Sequence, residues 1–182
     1  KEFAYISRAL IERSRVKPGE IKAVGVSALS PDMLPVDRDG TPLRPAILYG
    51  IDTRASKEIA YLTELIGEDR ISKVCWSTLS SQSVGPKILW FKNNEPDLYS
   101  RTDKILTATN YLVFKLTGNY VIDFHSASFF APFMDVNRRE WHEGFCEIAG
   151  VSKDLFPPIC SPVDIAGEVT VDAARETGLS PG

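Results

Sequence analysis

The order of segments along this sequence predicts an α/β protein. A near-continuous apolar, β-rich run, IKAVGVSAL at residues 21–29, has the pattern of a strand covered on both faces. Segments with apolar residues three and four apart alternate with short β-type runs, as in chains that lay helices over a sheet. The 182 residues, 43% hydrophobic and 25% charged, allow one domain with a substantial core.

The elements follow in order. Phe3, Ile6, Leu10 and Ile11 recur at helical spacing and predict a helix over residues 2–14 with one apolar face, broken by KPGE. After the 21–29 strand, Asp37-Arg38-Asp39-Gly40 reads as a turn between short strands at 33–36 and 46–49. Thr53 is placed to cap a helix running to Ile66, with Ile59, Leu62 and Ile66 inside and Gly67 as its stop. The Ser-rich stretch 71–83 lacks clear periodicity and reads as a loop or a partly helical excursion. Residues 84–94 form a helix carrying Ile88, Leu89, Trp90 and Phe91, DKILTA a short strand, and TNYLVFKLTG a helix closed by Gly118. Residues 119–136 read as extended and 139–150 as a helix. The Pro-rich 156–170 stretch is loop-like, and VDAARETGL is a last helix ending at Gly178. Trp76, Trp90 and Trp141 each lie near apolar residues and read as packing groups.

Several function classes recede on this evidence. A net charge of −3 with no basic stripe argues against nucleic acid or an anionic membrane as partner. No apolar run approaches the ~20 residues that span a bilayer, and the N-terminus does not resemble a signal peptide. The chain opens without Met inside an amphipathic helix, so it reads as a piece of a longer protein. Cys75, Cys146 and Cys160 have no CxxC spacing and read as reduced thiols rather than metal ligands or disulfides. GxxxxGK[ST], GxGxxG, HExxH and GxSxG are absent. His125 and His142 lack metal-like spacing. His142 reads as a helix-surface residue, whereas His125, beside Asp123, is open to a site role.

Several segments in order resemble the N-terminal domain of the FGGY family of carbohydrate kinases. IKAVGVSALSPDMLPVDRDGTPLRPAILY is similar to that family's strand, substrate-side turn and hairpin, and GIDTRA to its D-x-R-A signature. GPKILWFKNNEPDLYSRTDKILTATNYLVFKLTGNYVIDFHSAS resembles the block that runs from P-K-L-L-W to T-D-x-S-x-A. DIAGEVTVDAARETGLSPG resembles the segment preceding the family's catalytic carboxylate. The resemblance implies a ribonuclease-H-like, actin-like ATPase fold. Residues 1–182 would be most of the sugar-binding N-terminal domain without its first strands, and the C-terminal ATP-binding domain would lie outside the chain. It further implies transfer of the ATP γ-phosphoryl group to a hydroxyl of a sugar, ketose, polyol or sugar acid, with Mg²⁺, in the cytoplasm, with a homodimer possible. The phosphate-binding D-x-G-T turn precedes this chain in that family, and the base belongs to a G-x-x-D segment beyond Gly182. The chain is therefore expected to hold no catalytic residue of its own and to be inactive alone.

The same resemblance nominates substrate contacts. Leu29, Ser30, Pro31 and Asp32 stand where xylulose kinases read Gln-Met-His-Gly, and none of the usual polyol-contacting side chains is retained. Ser30 and Asp32 are the substitutes, with a plain turn fixed by Pro31 as the other reading. Tyr49 stands where the family has Trp, a wall for the apolar face of a sugar. Asp52 and Arg54 form the D-x-R pair, one residue further from the aromatic than is common, as ligand contacts or as supports. Asp123 and Phe124 match the T-D-Tyr position. Lys87 is assigned to a helix start rather than to ATP. The departures at residues 29–32 keep a second class open: a non-catalytic sugar-binding or regulatory relative with the same fold.

Overall fold

The computed structural model describes residues 1–182. Helices carry most of its regular backbone. They are α1 (Glu2–Ser14), α2 (Ser56–Ile66), α3 (Glu68–Cys75), α4 (Val84–Asn94), α5 (Pro96–Ser100), α6 (Ala108–Thr117), α7 (Phe124–Ser128), α8 (Glu143–Ala149) and α9 (Val171–Thr177). The strands are short and pair in twos. β1 (Leu34–Val36) runs antiparallel to β2 (Lys104–Leu106), with Leu34 opposite Leu106. β3 (Ile122–Asp123) lies parallel to β6 (Ile159–Cys160), and β4 (Met134–Asp135) antiparallel to β5 (Glu140–Trp141).

The core is organised around α4. Residues 83–89 and Phe91 are buried, and Val84, Ile88 and Phe91 join a cluster that includes Met33, Ile47, Leu62, Phe130 and Phe133. Burying each large apolar side chain contributes about 1.5–3 kcal/mol. The first turn of α4 rests directly on backbone: a Cβ added at Gly85 would stand 2.4 Å from the Ala131 carbonyl oxygen. The Val84 amide donates to the Phe129 carbonyl at 2.7 Å, which ties α4 to the segment after α7.

The structure corrects several sequence expectations. Residues 21–29 pair with no strand and are mostly exposed, because no segment of residues 1–182 runs beside them. Their tether is the Ala28 amide, which donates to Thr109 Oγ1 at 3.1 Å. The strand expected at 46–49 shrinks to one bridge between Met33 and Ile47, since Pro42 and Pro45 cannot donate to a ladder. Thr53 does not cap α2. Asp52 Oδ1 accepts from the Arg54 amide at 3.1 Å, which holds residues 52–54 in a turn and delays the helix to Ser56. Inside α2 the buried positions are Glu58, Leu62 and Ile66, with Ile59 only half-buried. Within 71–83, Ile71 to Cys75 complete α3, which Trp76 closes in the left-handed region at φ 56°.

The 119–136 stretch is not continuously extended, because the Asp123 carboxylate accepts from the Ser126 amide at 2.9 Å and starts α7. The helix expected over 139–150 begins only at Glu143. There His142 Nδ1 accepts from the Phe145 amide at 3.2 Å, so His142 is a half-buried cap rather than a surface residue. Trp90 and Trp141 pack on the core, but Trp76 is 71% exposed, with its indole donating to Asn137 at 2.9 Å. α1 forms as predicted, yet Ile6 and Leu10 stay exposed. It docks on α9 mainly through Arg8, whose guanidinium reaches the carbonyls of Arg175 and Glu176.

Candidate substrate groove beside α4

Three segments converge on one face of α4. The first is the turn 49–54, closed by the Asp52 amide donating to the Tyr49 carbonyl at 2.9 Å. Asp52 and Arg54 bind each other tightly: Nε lies 2.9 and 3.0 Å from the two carboxylate oxygens and a terminal nitrogen lies 2.8 Å from Oδ2. That pairing, first among its causes, holds the Asp52 carboxyl below the usual carboxylate range. The guanidinium in turn lies over the Trp90 ring, 4.7 Å from its centre, and Arg44 reaches the same ring at 5.6 Å while pairing with Glu95 at 2.7 Å. Leu48, Ile51, Asp52, Thr53, Arg54 and Trp90 line an open groove of about 510 Å³.

The second segment, residues 79–83, lies against the turn; a Cβ on Gly50 would stand 3.0 Å from the Gln82 amide nitrogen. The third holds Ser30 and Asp32 at the entry to β1. Asp32 is 2% exposed, and its Oδ1 accepts from the Ala108 amide, at the first position of α6, at 3.1 Å. A carboxylate there complements the helix N-terminus, but burial dominates and pushes the Asp32 carboxyl up to about 6. Ser30 Oγ is buried and has no hydrogen-bond partner.

Lys87, assigned by sequence to a helix start, is the group that reading missed. It is 1% exposed, and its ammonium donates to the Ser81 carbonyl at 2.7 Å. Burial pushes it below the usual lysine range, opposed by the Asp52 and Asp32 carboxylates and reinforced by Arg54. Lysine is almost never so buried without charged neighbours, yet nothing in GPKILW distinguishes it from a solvated lysine.

Tyr49, Asp52 and Arg54 thus share one turn, and Lys87 feels the charges of both Asp52 and Asp32. Asp123 and Phe124 stand at the start of α7. Asp123 caps that helix and Arg139 lies over the Phe124 ring at 4.3 Å; no hydrogen bond or ring contact joins either to the turn. A second depression of about 560 Å³, lined by polar residues such as Asp37, Arg101 and Asp154 together with Leu155, contains none of the nominated residues. Nowhere do three metal-ligating side chains converge. Asp52 is engaged by Arg54 and Asp32 by α6, so these residues do not by themselves build a Mg²⁺ site.

The backbone has close counterparts. The xylulose kinase of Rhodospirillum rubrum superposes with a TM-score of 0.84 at 23% identity, covering 97% of this chain and 37% of that one. The ADP-bound glycerol kinase of Plasmodium falciparum gives 0.81 at 24%, over 98% and 37%. The fold is the ribonuclease-H-like fold of the actin-like ATPases, in part of its N-terminal domain. The chain belongs to the FGGY family of carbohydrate kinases, whose N-terminal domain model matches residues 1–182. Among curated relatives, the xylulose kinase of Bacillus subtilis (strain 168) is 29% identical over 170 residues, 93% of this chain and 34% of that protein. The autoinducer-2 kinase of Klebsiella pneumoniae is 26% identical over 178 residues, 96% and 33%. The chain thus spans about a third of the length of the curated relatives it matches. No helix is long and apolar enough to cross a membrane.

Proposed function

We propose that this chain is the sugar-binding part of an ATP-dependent carbohydrate kinase that transfers the γ-phosphoryl group to a hydroxyl of a ketose, polyol or sugar acid. The observation that carries the reading is the Asp52–Arg54 pair laid on Trp90 at the mouth of a groove, in a chain matching the family along its whole length. A carboxylate accepts from sugar hydroxyls, a guanidinium donates to them, and the indole and phenol planes of Trp90 and Tyr49 suit apolar C–H faces. Ser30, Asp32, Asp123 and Phe124 complete the proposed contact set.

Both acids near the groove are committed, Asp32 to α6 and Asp52 to Arg54, so neither is free to take a proton from an attacking hydroxyl. In this reading the base, the ATP phosphates and Mg²⁺ are supplied outside residues 1–182, in a cytoplasmic enzyme that can pair as a homodimer. The test is an ATP-coupled screen of the intact protein against ketoses, polyols and sugar acids, with binding measured in parallel. Phosphorylation of one class supports the kinase. Binding without turnover favours a non-catalytic relative, and neither binding nor turnover overturns the reading.

A further inference from the structure

Glu58 is a buried acid with no part in the contacts described for the groove. It stands in the first turn of α2 at 9% exposure, and its Oε2 has no hydrogen-bond partner. An acceptor buried without a donor is costly. Complementing the N-terminus of α2 needs an acid in the first turn, but not a buried one. The place of Glu58 in the fold points to the missing donor. Glu58, Leu62 and Ile66 form the buried stripe of α2, and Leu62 and Ile66 share one cluster with Ile88 and Phe91 of α4. Arg54 precedes Glu58 by four residues, and its guanidinium also lies on α4, over the Trp90 ring. The chain between them is already wound: the Ser56 amide donates to the Thr53 carbonyl at 3.2 Å and the Ile59 amide to the Ala55 carbonyl at 3.0 Å. Arg54 engages Asp52 through Nε and Nη2, which leaves Nη1 without a partner. A free donor and a free acceptor thus stand one helical turn apart, both toward α4.

We propose that Glu58 is a positioning residue that acts through Arg54: when sugar hydroxyls bind the Asp52 carboxylate, the guanidinium turns from Asp52 to Glu58. The inference rests on the kinase reading for what fills the groove, whereas the exchange is a property of these three side chains. Only hydrogen bonds change hands. Asp52 gives up the Nε and Nη2 donors and gains hydroxyl donors, while Glu58 Oε2 gains the guanidinium it lacks in the empty groove. Arg54 keeps a carboxylate partner throughout, so no charge is stranded at the α2–α4 contact. Asp52 serves there as an acceptor and not as the base. Without Glu58, a sugar would have to draw Arg54 off Asp52 with nothing to receive it.

The experiment has one arm without sugar and one with it, both on the intact protein. In the first, Asp52→Asn removes the charge that holds Arg54, and a crystal structure of that variant should show the guanidinium within about 3 Å of a Glu58 oxygen. In the second, Glu58→Ala should raise the sugar KM about tenfold while kcat stays nearly constant. Glu58→Gln keeps an acceptor oxygen and should recover most of the lost affinity. If circular dichroism shows Glu58→Ala unfolded, Glu58→Leu takes its place with the same readouts. An acid serving only the N-terminus of α2 would lower the melting temperature of these variants and leave KM alone. An unmoved KM, or an Arg54 that stays away from Glu58 in Asp52→Asn, therefore overturns the proposal. If the intact protein neither binds nor turns over any sugar, the kinase reading fails on its own, and the Asp52→Asn structure alone decides the role of Glu58.

Discussion

Asp32 couples a local charge to the stability of the whole domain. Its folded carboxyl, raised to about 6, holds a proton over a pH range in which the unfolded chain has released it. Stability therefore falls as pH rises from about 4 to 6, and at pH 7 the buried charge costs up to about 3 kcal/mol. Asp32→Asn keeps an acceptor for the Ala108 amide without the charge. It should stabilise the protein by about 1–3 kcal/mol at pH 7 and hardly at all at pH 4, as read by denaturant titration at both values. Equal midpoints at pH 7 would show that the carboxylate is better solvated than its 2% exposure implies. Asp123 offers a cleaner separation of roles. As the cap of α7, its loss in Asp123→Ala should cost about 1 kcal/mol, whereas Asp123→Asn keeps the cap. A sugar contact predicts a higher KM in both variants. An unchanged KM and kcat in both remove Asp123 from the site.

Among the elements, α4 decides the position of the groove, and its backbone is the constrained part. Gly85→Ala drives a methyl group into the Ala131 carbonyl, which is backbone and cannot swing aside. We expect a loss of about 1–3 kcal/mol, and a sugar affinity that falls with it because Trp90 moves with the helix. A melting temperature equal to that of the unchanged protein would contradict the tight approach. Helices with clear periodicity, such as 84–94 and the Gly118-closed α6, were legible from residues alone, as was the paired strand β1. The 21–29 run was not, because an extended apolar segment becomes a strand only beside another. The 119–136 stretch failed through capping, since Asp123 starts a helix within a run read as extended, while in 139–150 the expected helix forms but His142 caps it late, at Glu143. The Asp52–Arg54 pair was legible as a spacing of two. The burial of Lys87 was not, since it arises where the 49–54 turn and the 79–83 segment meet over α4.

At the scale of the molecule, the chain gives the sugar side of the proposed reaction and leaves both nearby acids engaged. The isolated 182-residue chain should therefore show no ATP-dependent phosphorylation of any sugar, and turnover above background in a coupled assay would refute this. The Arg54–Trp90 stack has one more consequence, which is optical. An indole emits at a wavelength and intensity set by the charge on its face and the water at its edge. Trp90 sits at the groove wall, while Trp76 is mostly in solvent and Trp141 is tied to the Pro157 carbonyl. Once Trp76→Phe removes the solvent background, the emission of Trp90 becomes a built-in dye for the groove, reporting occupancy by any sugar that shifts the guanidinium above it.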